Sequence, residues 1–217
     1  MIPCWNEAAE IGAAVAAARM VADEVVVVDG GSTDETVARA AGATIVSATR
    51  GRGPQLAAGA AAARGDVLLF LHADARLPPG ARGAIERALA DPDVAGGNFR
   101  LRFASSSAWA WVFARVNHER RRWLRIYYGD SGLFVRRTVY DALGGFRSLP
   151  IMEDHDFVRR LERTSRTVYV DDIAIIASAR RFAERPLRTL AIWTAIQTLA
   201  SAGVAPARLA RLYADLR

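Results

Sequence analysis

The 217-residue chain contains no lysine: all 29 of its basic residues are arginine. A lysine nucleophile or Schiff base is therefore excluded from its chemistry. Cysteine is nearly as scarce. The single Cys4 allows no intramolecular disulfide and no paired-cysteine zinc site, and a reducing cytoplasm is the expected compartment. The first residues lack the basic and apolar regions of a secretory signal. The longest uncharged run, residues 189–207, is broken by Thr194, Gln197, Thr198, Ser201, Gly203 and Pro206, so a buried or surface-seated helix is expected there rather than a membrane span. The chain opens Met1-Ile2 with few apolar residues ahead of Pro3. The first strand is therefore either very short or begins upstream. Repeats, linkers and low-complexity tracts are absent apart from an alanine bias.

What is present fits one compact domain: 52% hydrophobic and 24% charged residues, with a formal charge of +6 that points to anionic partners. The period of 3.6 through Ile11, Ala14, Val15 and Ala18 predicts a helix over 7–21, and the apolar run 24–29 a buried strand. Ser32-Thr33-Asp34-Glu35 reads as a capping box, Ser32 accepting from the N3 amide and a helix following to about residue 41. A strand at 44–47, an Ala-rich helix at 54–64 and an apolar strand at 66–71 complete a βαβαβ order, hence parallel strands with ligands at their carboxyl ends. Beyond it, strands are expected at 96–103, 132–135 and 167–170, with helices at 137–143 and 154–163. One domain spans 1–217, a nucleotide-binding half at 1–97 preceding an acceptor half at 98–217.

Four segments carry candidate chemistry. At the end of the second strand, Asp29-Gly30-Gly31-Ser32 offers a carboxylate for the imide N–H of uracil and glycines that let the backbone approach a ligand. An ordinary strand-to-helix turn is the alternative, and no G-x-G-x-x-G is present. Leu71-His72-Ala73-Asp74 places Asp74 at a strand end, suited to a divalent metal on a diphosphate leaving group. Arg50-Gly51-Arg52-Gly53-Pro54-Gln55 is a basic turn opening a helix, either a phosphate or nucleobase clamp or a solvated turn. Met152-Glu153-Asp154-His155-Asp156-Phe157 supplies either a general base or a charged first helical turn. Basic clusters at 119–125 and 180–182 lie near Trp109, Trp111, Trp123, Tyr127 and Tyr128. Such interleaving suits a nucleic acid or a membrane surface, and equally a small anionic substrate.

The order of these motifs resembles inverting glycosyltransferase family 2. The matching residues are Ile2-Pro3-x-x-Asn6-Glu7, Val27-Val28-Asp29-Gly30-Gly31-Ser32-x-Asp34, the Arg52 turn with Gln55, Leu71-His72-Ala73-Asp74, Gly129-Asp130-Ser131-Gly132-Leu133-Phe134-Val135-Arg136-Arg137, Gly144-Gly145-Phe146 and Glu153-Asp154. The Arg-Gly-Arg-Gly-x-Gln turn, the His-Ala-Asp motif, Gly-Asp-x-x-x-Phe-Val-Arg-Arg and the late Ala-Arg-Arg-Phe are similar to a small selenium-associated branch that includes selenosugar synthases.

This resemblance implies an α/β GT-A fold, Rossmann-like, with a mostly parallel mixed central sheet, and transfer of a sugar from UDP-glucose or UDP-N-acetylglucosamine to selenophosphate. It implies that Pro3 and Glu7 line the nucleoside pocket with Asp29 on uracil, and that Arg52 contacts nucleobase or phosphate. Gly31, Ser32, Gln55, His72, Gly129 and Asp130 belong to the same nucleotide-sugar site. Asp74 would bind Mg2+ or Mn2+, and Asp154 would be the base. His72 stands where many relatives carry an aspartate, so the metal is either weaker or partly replaced by a protonated imidazole. Arg120, Arg121, Arg136, Arg180 and Arg181 are the candidates for holding an anionic acceptor. No nucleic-acid partner is expected. The rival readings are a family 2 enzyme for a lipid, polyol or arsenosugar-type acceptor, with 189–204 facing a membrane, and a nucleotide- or nucleic-acid-binding module without turnover.

Overall fold

A computed structural model describes the backbone of residues 1–216 and the side chains of residues 1–214. The single-domain reading runs on to Arg217, which lies outside the described residues. In chain order the elements are β1 (Ile2–Cys4), α1 (Ile11–Arg19), β2 (Val26–Asp29), a single turn α2 (Thr36–Arg39), β3 (Thr44–Ser47), α3 (Arg52–Ala62), β4 (Val67–Phe70), β5 (Ala75–Arg76), α4 (Ala81–Leu89) and β6 (Val94–Phe103). There follow α5 (Ala108–Leu124), a 3-10 turn at Gly129–Ser131, β7 (Leu133–Arg136), α6 (Arg137–Ala142), α7 (Glu153–Thr164), β8 (Arg166–Ala177), α8 (Pro186–Ser201) and α9 (Pro206–Leu216).

The first three strands pair in parallel in the order β1-β2-β3, with Cys4 level with Asp29 and Asp29 level with Ser47. The rest form a mixed ladder β4-β7-β6-β8-β5, in which β7 runs antiparallel to β4 and β6 while β8 runs parallel to β6. Two bonds join the ladders: the Met1 amine donates to the Leu69 carbonyl at 2.6 Å, and the Leu71 amide to the Met1 carbonyl at 3.0 Å. This is the spacing of a parallel pair, so β1 and β4 present their carboxyl ends on one edge. Both faces of the sheet are covered. Val27 points into the layer beneath α1 and α4 with Ile11, Val15 and Phe99, whereas Val26 and Val28 point into the layer beneath α3 and α7 with Leu56, Phe70 and Phe157. Burial on both faces is why the strands read as continuous apolar runs.

The chain departs from the sequence expectation at three places. No capping box forms at Ser32. Its hydroxyl donates to Asp29 at 2.5 Å, the carboxylate being the stronger acceptor, and Asp34 instead receives the Thr36 amide at 3.0 Å. Helix α2 is then one turn only, with Glu35 paired to Arg39. Helices α4 and α5 were not foreseen, and β8 is twelve residues rather than four because its register with β6 jumps from Phe99↔Val170 to Arg100↔Ala174. That bulge lets the exposed Asp171 and Asp172 leave the ladder and the strand resume.

Strand β6 is gripped from both sides, and a Cβ on Gly97 would lie 2.1 Å from the Val168 carbonyl. Gly97→Ala therefore has to spread β6 from β8. A loss of about 1–3 kcal/mol is expected, and urea denaturation followed by tryptophan fluorescence will show an unchanged midpoint if the approach is not limiting.

Candidate functional site

The carboxyl ends of β1, β2 and β4 and the start of α7 converge on one crevice. Asp29 ends β2 and is buried. It already accepts from the Gly31 amide at 3.1 Å, the Ser32 amide at 3.0 Å and the Ser32 hydroxyl. Gly31 adopts φ +84° and is exposed, with open space where a Cβ would stand. Asn6, also left-handed at φ 52°, fastens the neighbouring loop: its side-chain oxygen accepts from the Thr33 amide and its own amide donates to Ser32 Oγ, both at 2.9 Å. The Ile2-Pro3-x-x-Asn6-Glu7 motif contains Asn6 but does not by itself assign it this role. Its tolerance of positive φ was the available signal.

The Arg50–Arg52 turn crosses the crevice. Arg50 lies over the Trp5 ring at 3.3 Å. Arg52 donates through Nε to Glu153 at 2.6 Å and through Nη2 to Asp154 at 2.7 Å. Both carboxylates are buried, while Arg52 is 40% exposed. Asp154 Oδ2 also accepts from the Gly129 amide at 3.2 Å, and Oδ1 from the His155 amide at 3.1 Å. Burial, then the Asp154 charge, push the Glu153 carboxyl above its ordinary range, with Arg52 opposing. Asp130, beside this group, is likewise raised by burial. Glu153 is thus a second carboxylate on the clamp that sequence reasoning left inside a motif.

Asp74 is buried at the end of the β4 loop. The guanidinium groups of Arg180 and Arg181 each stand 3.6 Å from its Oδ2, and Arg180 is anchored on Glu7 at 2.6 Å. Two residues earlier, His72 is buried with Nε2 unpartnered. A Cβ on Gly129 would stand 3.1 Å from that nitrogen. Burial and the charges of Arg52 and Arg181 hold His72 well below the usual histidine range. Of the two alternatives for His72, this burial and these charges oppose the protonated imidazole. Among the described residues no three His, Cys, Asp or Glu side chains gather to hold an ion. Asp74 would be the one carboxylate for a divalent cation that also takes phosphate oxygens, as Mg2+ does, and its Oδ2 faces two guanidinium groups in the free protein.

The other named residues divide by position. Pro3 is buried in β1 opposite Val28. Gln55 is buried, its amide bridging the Cys4 and Val28 carbonyls at 2.8 Å each. Arg120 reaches Gln197 of α8 at 2.8 Å and lies over the Tyr128 ring, whose hydroxyl also meets Gln197. The remaining two arginines are not brought to the crevice. Arg121 is buried on Asn98 and Thr167. Arg136 sits level with Val67, at the opposite end of β4, donating to the carbonyls of Leu89, Asp91 and Val94.

Residues 1–150 match the family model described as Glycosyl transferase family 2. No curated protein sequence matches significantly. Among solved structures, a mannosyltransferase from Pyrobaculum calidifontis in complex with GDP-Man and Mn2+ is similar at a TM-score of 0.64 and 24% identity, over 98% of this chain and 66% of that one. A glucosyl-3-phosphoglycerate synthase from Mycobacterium tuberculosis, in complex with Mn2+, UDP and phosphoglyceric acid, is similar at 0.64 and 20% identity, over 94% and 77%. The chain thus spans just under two thirds of the first structure's length, and these likenesses establish the shared fold.

Two outcomes follow from the charges. Burial and Asp29 push the Cys4 thiol up to about 12, so iodoacetamide at pH 8 is expected to spare it in the native protein and label it in urea. Mass spectrometry showing rapid native alkylation would contradict this burial. A carboxyl raised in the fold stabilises below its unfolded pKa and loses that contribution as pH climbs through the folded value. Asp130→Asn is therefore expected to gain thermal stability relative to wild type between about pH 4 and neutrality. Parallel melting curves across that range would refute it.

Proposed function

The chain belongs to glycosyl transferase family 2, a family of sugar-transferring enzymes, and we propose that it transfers a sugar from a UDP-sugar, with inversion, to a small anionic acceptor. Selenophosphate is the acceptor its sequence resemblance singles out, and UDP-glucose and UDP-N-acetylglucosamine are the donors. The observation that carries this reading is the convergence of Asp29, Asp74 and the Arg52–Asp154 pair on one carboxyl edge of the sheet, where ligands of open α/β sheets bind.

Uridine is the nucleoside the sequence resemblance singles out, with Asp29 as the carboxylate for the uracil imide N–H; in the free protein Asp29 accepts from the Gly31 amide, the Ser32 amide and hydroxyl and the Cys4 thiol. Arg52 is the cation nearest the base and the group an incoming diphosphate would recruit. A divalent ion held by Asp74 would supply further neutralisation of the leaving group. Gly129, Arg52 and Asp154 then enclose the anomeric carbon's surroundings, and in-line attack expels UDP.

With an alcohol acceptor, Asp154 must take the proton. With selenophosphate, selenium is already anionic. The Se–C1 bond forms as the C1–O bond to UDP breaks, and water then cleaves the Se–P bond, releasing phosphate and leaving the 1-selenosugar.

The test is incubation with each UDP-sugar, Mg2+ and fresh selenophosphate, following UDP release and selenosugar mass together. Coupled appearance is expected. Binding of UDP without selenosugar would remove the acceptor, and absence of UDP binding would remove the donor. Asp154→Asn adds a second criterion. An alcohol acceptor should lose about 10²–10⁴-fold in turnover, whereas selenophosphate should lose less than about tenfold, since proton removal contributes little to it.

A further inference from the structure

Helix α8 lies beyond the residues that match the family model, and among its own residues only Ile196 is buried. Near its start Trp193 meets the Phe113 ring edge-on at 5.5 Å. Toward its end the inward contacts are polar and fall one turn apart. Gln197 Oε1 accepts from Arg120 Nη1 at 2.8 Å and from the Tyr128 hydroxyl at 3.3 Å, and Ser201 Oγ lies 3.5 Å from His155 Nε2. Residues four apart share one helix face, so a single edge of α8 reaches Arg120, Tyr128 and His155.

Tyr128 and His155 are the chain neighbours of one hydrogen bond. Tyr128 precedes Gly129, whose amide donates to Asp154 Oδ2 at 3.2 Å, and His155 follows Asp154, with its own amide on Oδ1 at 3.1 Å. Tyr128 is held on its other sides as well: its carbonyl accepts from Ser131 Oγ at 2.7 Å, and the Arg120 guanidinium lies 4.6 Å from its ring centre. An arginine only donates, so the Gln197 carbonyl oxygen must be the atom that faces Arg120. Burial keeps the Tyr128 phenol protonated and a donor to that same oxygen. One acceptor thereby holds both the ring and the cation stacked on it.

We infer that Gln197, with Ser201 one turn on, is a positioning residue for the proposed base: through Tyr128 and His155 the edge of α8 sets where the Gly129 amide meets Asp154. The inference deepens the proposed function and rests on it only for the word base. Arg52 matches Asp154 Oδ2 from the α3 side. Gln197 acts from the α8 side, on the amide that aims the same oxygen. A carboxylate that loses an amide donor binds its proton more tightly, so loosening this edge moves the pH at which Asp154 becomes a base, with Arg52, Arg120, Asp130 and Glu153 the charged groups around it.

The test is amide hydrogen exchange by NMR on the full chain, beside UDP release from UDP-glucose with water as the acceptor. In Gln197→Leu the Gly129 amide is expected to exchange about tenfold faster, the loss of roughly one hydrogen bond, while the amides of α8 keep their rates. UDP release should fall about tenfold in kcat with KM within about twofold, and its acid limb should move to higher pH. Gln197→Glu, which retains an acceptor oxygen, should restore all three. Thr194→Ala, on the exposed side of α8, should change nothing. A Gly129 amide that exchanges at the wild-type rate in Gln197→Leu overturns the inference, as does an acceleration shared by the whole of α8, which would make Gln197 only a fastening of the helix. Unchanged kcat and pH profile in a variant whose Gly129 amide is loosened overturns it too. Wild-type protein that neither binds nor releases UDP removes the proposed donor; a Gly129 amide loosened in Gln197→Leu and restored in Gln197→Glu then still supports the positioning of Asp154.

Discussion

One guanidinium ties the two halves of the chain together at the candidate site. Arg52, at the start of α3, is paired with Glu153 and Asp154, more than a hundred positions later. Neither carboxylate is exposed, and two adjacent buried negative charges would repel each other and lose hydration without a cation between them. The pairing therefore decides more than local charge. It fixes how α3 meets α7 over the layer they share, and it sets the orientation of Asp154, whose remaining contacts are backbone amides. The Asp154 charge is matched by Arg52 in the free protein, so the arrangement proposed for catalysis is also a packing arrangement.

The parallel first half was legible because its strands are buried on both faces. Val25 to Val28 and the 67–71 run have no polar alternation to confuse them, and the intervening helices show their apolar stripe through Ile11, Val15 and Leu56. The second half was harder to read for physical reasons. Helix α5 buries only Ala110, Phe113 and Arg121, and leaves Trp111 and Trp123 exposed, so its period is masked by aromatic and basic residues facing water. Strand β8 is interrupted by a bulge that no alternation reveals. Ser32 matched a capping pattern, but a carboxylate three residues earlier competed for its hydroxyl and won.

The candidate site was legible in its carboxylates and obscure in its arginines. Asp29, Asp74 and Asp154 stand at element ends, where position in the chain nearly determines position in space. An arginine in a sequence is equally a ligand-binding group or a means of satisfying backbone carbonyls, and only register separates the two. Arg136 and Arg137 belong to the second kind, capping the carbonyls of residues 89, 91 and 94 and of residues 60, 63 and 65. With no lysine in the chain, structural and functional cations share one residue type, and composition cannot sort them.

Phe182 carries a consequence of its own. It is buried, stacked on Phe113 with ring centres 4.1 Å apart and edge-on to Phe103 at 4.9 Å. At the other end of the same short turn, the Ser178 amide donates to the Asp74 carbonyl at 3.0 Å. The turn bearing Arg180 and Arg181 is therefore pinned at both ends. Ordering a flexible, rotamer-rich side chain on binding costs about 0.5–1.5 kcal/mol, and here much of the backbone share of that ordering is complete in the free protein. The aromatic stack thus acts as preorganisation: entropy the turn gives up during folding is entropy it would not lose again on holding an anion.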